Sequence, residues 1–208
     1  MARLIFGLTT AAVFVAASYT PARLASGDAP IQPVQTVGWG EAAFELTVAA
    51  DGSVLGLEPR GGRNPFLDAL FAAVSAWRFT PARDDDLPID TRVLVAGIWR
   101  PPELMAAAPP ESFTTPAASP AVPRPTRLMP PSYPPNVIGD GMVVVELCVD
   151  EAGRIAEAQV VRSAGGFDGP ALDAAREWRF QPATRAGRAV PAYVYLVFGF
   201  RQPVVVIK

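Results

Sequence analysis

Few residues of this chain could do chemistry. There is no histidine, which removes the usual general base, the commonest metal ligand and every Ser/His or Cys/His arrangement. The single thiol, Cys148, lies in Val-Val-Val-Glu-Leu-Cys-Val and reads as a strand residue behaving as a small hydrophobe. With no second cysteine, its alternative use is a cross-link between two chains in an oxidising compartment. Asp84-Asp85-Asp86 could meet a cation such as Ca²⁺, but such sites space about six to eight oxygen ligands, so the run reads as a solvated loop. No Gly-x-Ser-x-Gly, phosphate loop or metal-ligand spacing occurs. The expectation is a protein without catalytic residues, metal or cofactor. Basic residues, nearly all Arg, are scattered, and the net charge is −2, so no basic face exists to bind nucleic acid.

What positions these residues is a repeat. Trp77-Arg78-Phe79-Thr80-Pro81-Ala82 returns as Trp178-Arg179-Phe180-Gln181-Pro182-Ala183, an offset of 178 − 77 = 101. The same offset superposes Pro33 on Pro134, Gly40 on Gly141, Glu45-Leu46 on Glu146-Leu147, Gly52 on Gly153, Phe66 on Phe167, Val93 on Val194 and Arg100 on Arg201. One offset without insertion implies two copies of a small unit. Trp178, Phe180 and their counterparts read as plugs between a helix and a sheet, and Arg78 and Arg179 as solvated residues between them.

Each copy spells strand, strand, helix, strand. In the first, Ala42 to Val48 and Ser53 to Glu58 flank Asp51-Gly52, a hairpin turn signal. Asn64 suits an N-cap and Pro65 the first helical position. Leu67, Leu70, Phe71, Val74 and Trp77 then recur at helical steps, and Arg92 to Trp99 forms the third strand. In the second, strands Met142–Val149 and Arg154–Arg162 precede a helix from Asp168 to Trp178 and a long strand from Tyr193 to Phe200. Val204 to Ile207 could add a fourth strand. The expected fold is α+β: two small domains, each a three-stranded antiparallel sheet with one packed helix. The first spans 27–100 and the second 131–208, with a proline-rich linker at 101–130 that has no core to join.

Residues 1–26 read as a signal peptide or short anchor. Arg3 precedes an apolar run, Leu4 to Ala17, short for a bilayer span but suited to a signal-peptide core, and Val15-Ala16-Ala17 supplies small residues for cleavage. The mature chain is expected to begin near Ser18 and to lie in the periplasm, with inner-membrane anchoring by residues 4–17 as the alternative.

Tyr133-Pro134, Gly-x-Val-x-Val-x-Leu from Gly141, Asp150-x-x-Gly153-Arg154-Ile155, Leu172-Asp173-x-Ala175 and Trp178-Arg179-Phe180-x-Pro182-Ala183 together resemble the C-terminal domain of the TonB family. The resemblance is close over about residues 131–203, and the first copy carries it in worn form, with Gln32 in the place of Tyr133. It implies a periplasmic protein-binding module that captures a segment of an outer-membrane TonB-dependent transporter as an added strand, driven by an anchor helix coupled to the ExbB/ExbD motor. This chain departs in lacking the anchor's histidine, in its short apolar run, in its proline-rich stretch lying between two copies, and in a shortened segment before Gly141.

The resemblance places the capture edge on the last long strand, Tyr193-Val194-Tyr195-Leu196-Val197-Phe198. That strand is apolar on both faces, and an exposed edge of this kind is a liability unless something pairs with it. Two readings follow: capture of an extended segment of an envelope partner, or a structural envelope protein whose edges pair within one chain or between chains, as in a homodimer. The sequence identifies neither partner nor transported solute.

Overall fold

The computed structural model describes residues 18–33, 39–60, 64–101 and 119–203. The apolar N-terminal run, most of the proline-rich stretch and the Val204–Ile207 tail lie outside them. The first half comprises β1 (Tyr19–Thr20), β2 (Arg23–Ser26), β3 (Gly40–Val48), β4 (Val54–Pro59), α1 (Pro65–Val74), β5 (Arg78–Thr80), β6 (Ala82–Asp84), β7 (Leu87–Ile89) and β8 (Thr91–Trp99). The second comprises β9 (Arg124–Arg127), β10 (Gly141–Val149), β11 (Ile155–Arg162), α2 (Asp168–Glu177), β12 (Arg179–Gln181), β13 (Ala183–Arg185), β14 (Arg188–Val190) and β15 (Ala192–Phe200). The fold is α+β. Strands β3 and β10, and β8 and β15, correspond at the offset of 101 residues.

Local chemistry accounts for the elements. The Asn64 side chain accepts a hydrogen bond from the Leu67 amide at 2.8 Å, and Pro65 opens α1, the expected cap. Both helices stop before their tryptophan: α1 ends at Val74, and Trp178 has already turned extended. The indoles drop into the core, and each N–H donates to a backbone carbonyl, Trp77 to Asp28 at 2.9 Å and Trp178 to Met129 at 3.0 Å. The hairpin turns explain two glycines. Gly52 and Gly153 have φ of 83° and 76°, and a Cβ there would strike the carbonyl oxygen of Phe79 or Phe180. The turn glycine and the Trp-Arg-Phe element are therefore in contact.

Two separate three-stranded sheets were expected; the structure has one six-stranded sheet, ordered β11-β10-β15-β8-β3-β4. The halves join through β8 and β15, which run parallel, while every other neighbour pair in that sheet is antiparallel. The junction register matches Val194 with Leu94, an offset of 100 and not the repeat's 101. That one-residue stagger decides the architecture, because it sends equivalent residues of the two halves to opposite faces. Accordingly α1 packs in one core with Phe44, Leu46, Val93 and Val95. Helix α2 packs in the other with Val143, Val145, Val194 and Leu196. Each core also takes side chains from the other half: Tyr195, Val197 and Val144 in the first, Leu94, Ala96 and Ile98 in the second.

Three further expectations are corrected. Residues 18–26, read as part of the export segment, form β1 and β2, which pair with β6 and β5. Within the stretch read as a linker without a core, β9 pairs with β12, and Val122 is buried. In these two straps the backbone of β2 and β9 finds its partners on the Trp-Arg-Phe strands β5 and β12. Lastly, Asp84-Asp85-Asp86 is solvated as expected, with Asp85 and Asp86 exposed, but it is an ordered hairpin turn and not a loop. Asp85 and Asp86, with φ of 47° and 63°, are the two-residue turn of the β6–β7 hairpin, a conformation with φ > 0 at both central positions. The matching turn is Ala186-Gly187. Alanine is strained at φ 47°, so Ala186→Gly should raise stability by roughly 0.5–1 kcal/mol even after the added chain entropy, measured by urea unfolding.

Candidate partner-binding site

The strand expected to be the open capture edge, Tyr193 to Phe198, is in the middle of the sheet. On one side it pairs with β10, Tyr193 opposite Cys148 through Phe198 opposite Val143. On the other it pairs with β8, Val194 opposite Leu94 through Phe198 opposite Ile98. Val194, Tyr195, Leu196, Val197 and Phe198 are fully buried, and Tyr193 is half-buried. The reading of an exposed edge is thus corrected. The side chains that would have formed a platform fill both cores, and backbone groups that would have met a partner meet the first half's last strand.

Tyr195 shows how completely the strand is absorbed. Its ring stands edge-on to Trp77 at 5.7 Å and to Phe79 at 5.9 Å, both in the first half. Its hydroxyl donates to Glu146 at 2.9 Å and accepts from the Leu24 amide at 2.6 Å. Burial, reinforced by the Glu146 carboxylate, pushes the Tyr195 phenol far above its usual range, so it stays a donor. Glu146, almost wholly buried, also receives Gln159 at 2.6 Å and Arg23 at 2.8 Å. A buried carboxylate is tolerable only with such partners. Arg23 and Leu24 belong to the first-half strap, so the network binds one half across the other. The counterpart Glu45 is likewise buried. It meets Arg92 at 2.8 Å, Arg60, and the Ser119 amide at 3.2 Å, and Ser119 begins the described part of the second-half strap.

Tyr195→Phe leaves the Leu24 amide and one Glu146 oxygen short of a partner, which should cost about 1–3 kcal/mol. The alkaline limb carries a sign. A folded pKa above the unfolded value of about 10 gives stability that is complete below about pH 10 and lost as pH rises toward the folded value. The Tyr195→Phe chain should therefore lose less stability than the parent between about pH 10 and 12, compared by urea midpoints.

The other residues singled out from the sequence do not converge on a site. Cys148 is half-buried on β10, and burial together with Glu157 and Glu146 raises its thiol pKa, which makes it a poor nucleophile. Arg78 and Arg179 fold back onto the carbonyls of Trp77 and Trp178 at 3.0 and 2.7 Å. Asp84 pairs with Arg185 at 2.7 Å, and 185 − 84 is again 101, so equivalent positions of the two halves touch. Among the described residues no group of three His, Cys, Asp or Glu could hold a metal ion. No helix among them is long and apolar enough to cross a membrane.

What sequence reasoning missed was the use of Glu45 and Glu146, which it aligned without giving them a task. A signal was present: Glu146 breaks an otherwise apolar strand, and the repeat offset places Glu45 at the same position of the first half. No curated protein matches the chain. The second half, from the end of its strap to the end of β15, carries the arrangement that can be named: residues 129–201 match the family described as the Gram-negative bacterial TonB protein C-terminal.

Proposed function

We propose that this chain is a non-catalytic structural protein of the cell envelope, built from two TonB C-terminal-type halves that pair their last long strands with each other. The first half is then the same unit in worn form, and both halves work outside the cytoplasm, in the periplasm. The observation that carries this reading is the parallel ladder from Val194–Leu94 to Gly199–Trp99. It occupies the edge at which the resemblance would put a transporter's segment. Of the two uses of that edge, pairing within the chain is favoured over capture of a transporter, and coupling to the ExbB/ExbD motor is not part of the proposal. A partner taken by strand addition is left with the outer strands β4 and β11. Their ladders carry register shifts at equivalent places, Thr47/Val48 and Cys148/Val149, and Glu58 and Glu157 lie along them, features that discourage casual edge pairing.

The test is amide exchange on the full chain, with and without an extended peptide from an outer-membrane transporter's periplasmic segment. Amides of Val194 to Phe198 and of Leu94 to Ile98 should exchange only through global unfolding and should not respond to peptide. Fast exchange in either strand, or peptide-dependent protection there, would favour capture instead.

A further inference from the structure

We propose that the β9–β12 ribbon, together with the last turn of α2, is a docking surface for a membrane that bears anionic phosphate headgroups. Arginines are scattered along the sequence, but folding gathers four of them here. In the ladder Arg179 lies directly opposite Arg127, and Arg124 lies opposite Gln181. All four of these residues are exposed, while Phe180 between them is buried in the α2 core. Arg176 joins them from the helix, since Arg179 Nη1 donates to its carbonyl at 2.9 Å. Like charges directly opposite each other destabilise a ladder, so the placing of Arg127 across from Arg179 is not explained by stability.

The first half shows that the fold does not require it. There the equivalent ribbon, β2 with β5, sets Ser26 opposite Arg78, and Ser75 holds the place of Arg176. Its other arginine, Arg23, is neutralised by the buried Glu146 at 2.8 Å. Two carboxylates do stand beside the second-half cluster. Glu177 is 3.8 Å from Arg127 and Asp173 is 3.6 Å from Arg176, and in both pairs each side chain is more than half exposed. Such pairs are loose and screened by water, and Arg124 meets a neutral amide, Gln181 Oε1, at 2.6 Å. Four guanidiniums against two carboxylates leave a positive surface on a chain whose overall charge is −2. They are spread over two strands and a helix end, which suits a layer of many phosphates better than one bound ion. Guanidinium is matched to phosphate oxygens, and each arginine near an anionic bilayer adds to the attraction. The choice of a membrane rests on the envelope reading above.

The test is co-sedimentation of the full chain with vesicles of phosphatidylglycerol and phosphatidylcholine, beside vesicles of phosphatidylcholine alone. Insertion of the apolar run Leu4 to Ala17 would be common to both, so the readout is the gain on anionic over neutral vesicles. The parent should show that gain at low salt and lose it at high salt. Arg127→Ser with Arg176→Ser, which restores the first half's residues, should weaken anionic binding roughly tenfold to thirtyfold. Lysine at both positions should keep it within about threefold. Arg78→Ser with Arg83→Ser removes the same charge from the first half and should also stay within about threefold. Equal losses in the two serine pairs would reduce the effect to net charge and overturn the surface. A lysine pair as weak as the serine pair at 127 and 176 would overturn it too, because the loss would not follow charge. No gain on anionic vesicles overturns the membrane. If inorganic phosphate then raised the melting temperature of the parent and not of the 127/176 serine pair, the ribbon would be a site for free phosphate instead. A chain recovered from the cytoplasm would overturn the envelope reading, while the vesicle result reports on the surface regardless.

Discussion

Proline at Val194, Tyr195, Leu196 or Val197 is expected to destabilise the whole protein severely, at all four positions alike. Successive amides of a strand point to alternate sides, so two of the four aim at β10 and two at β8. Both sides are occupied by nine-residue strands. Proline removes the N–H and fixes φ, and in the middle of a sheet it has no tolerated place. One lost ladder bond with its orphaned carbonyl costs about 1–3 kcal/mol. Forcing a ring into a fully buried strand adds about 1–3 kcal/mol of strain. A loss on the order of 4 kcal/mol consumes much of the stability a protein of this size has. The same should hold at Val93 and Val95, because β8 is as interior as β15. An outer strand supplies the control. Between Glu157 and Ala158 of β11, one amide faces β10 and the other faces outward, so only one of the two substitutions should be severe. Circular dichroism and urea unfolding read the outcome. If the four β15 substitutions split by parity as the β11 pair does, then β15 is an edge in solution and the junction with β8 is wrong.

That expectation reverses what the sequence suggested, and the reason is physical. The hairpins, the capped helix and the Trp-Arg-Phe element are set by near neighbours, so they could be read directly. Asn64-Pro65 fixed one helix start, and glycine at 52 and 153 fixed the turns. Which edges meet is decided by groups about a hundred residues apart, and no local signal declares it. One clue was available. Tyr193 to Phe198 and Val93 to Trp99 are apolar on both faces, which is how strands covered on both sides, parallel ones above all, appear in sequence. In Tyr193 to Phe198 the pattern suggests a binding platform, but in both stretches it marks an interior strand. The straps were also partly legible. The offset of 101 runs on through Arg23/Arg124, upstream of residues 27 and 131, where the two copies are expected to begin. Ala22 and Val122, both buried, stand beside prolines, where no strand or helix periodicity marks them as core.

Trp77→Ala and Trp178→Ala should each remove roughly 3–5 kcal/mol, and the manner of unfolding matters as much as the size. Both indoles are fully buried. Trp178 stacks on Phe180 at 6.1 Å and meets Phe198 edge-on at 6.3 Å. Its loss opens a cavity in the α2 core and leaves the Met129 carbonyl without the indole donor. Trp77 has the wider reach. Gly27 lies so close over its ring that a Cβ there would fall 2.2 Å from Cδ1, and its other neighbours include Tyr195 of the second half. Trp77→Ala therefore loosens the first-half strap and the packing around Tyr195 together. Two independent domains would respond with two transitions, one shifted and one untouched. A single sheet whose cores each borrow side chains from the other half should respond with one, since neither half keeps its core once the other has gone. Tryptophan fluorescence and far-ultraviolet dichroism, followed through the same urea titration, should give coincident midpoints for Trp77→Ala, shifted from the parent. A surviving second transition at the parent midpoint would mean that β8 and β15 are not joined, and that the second half stands alone with its last strand open.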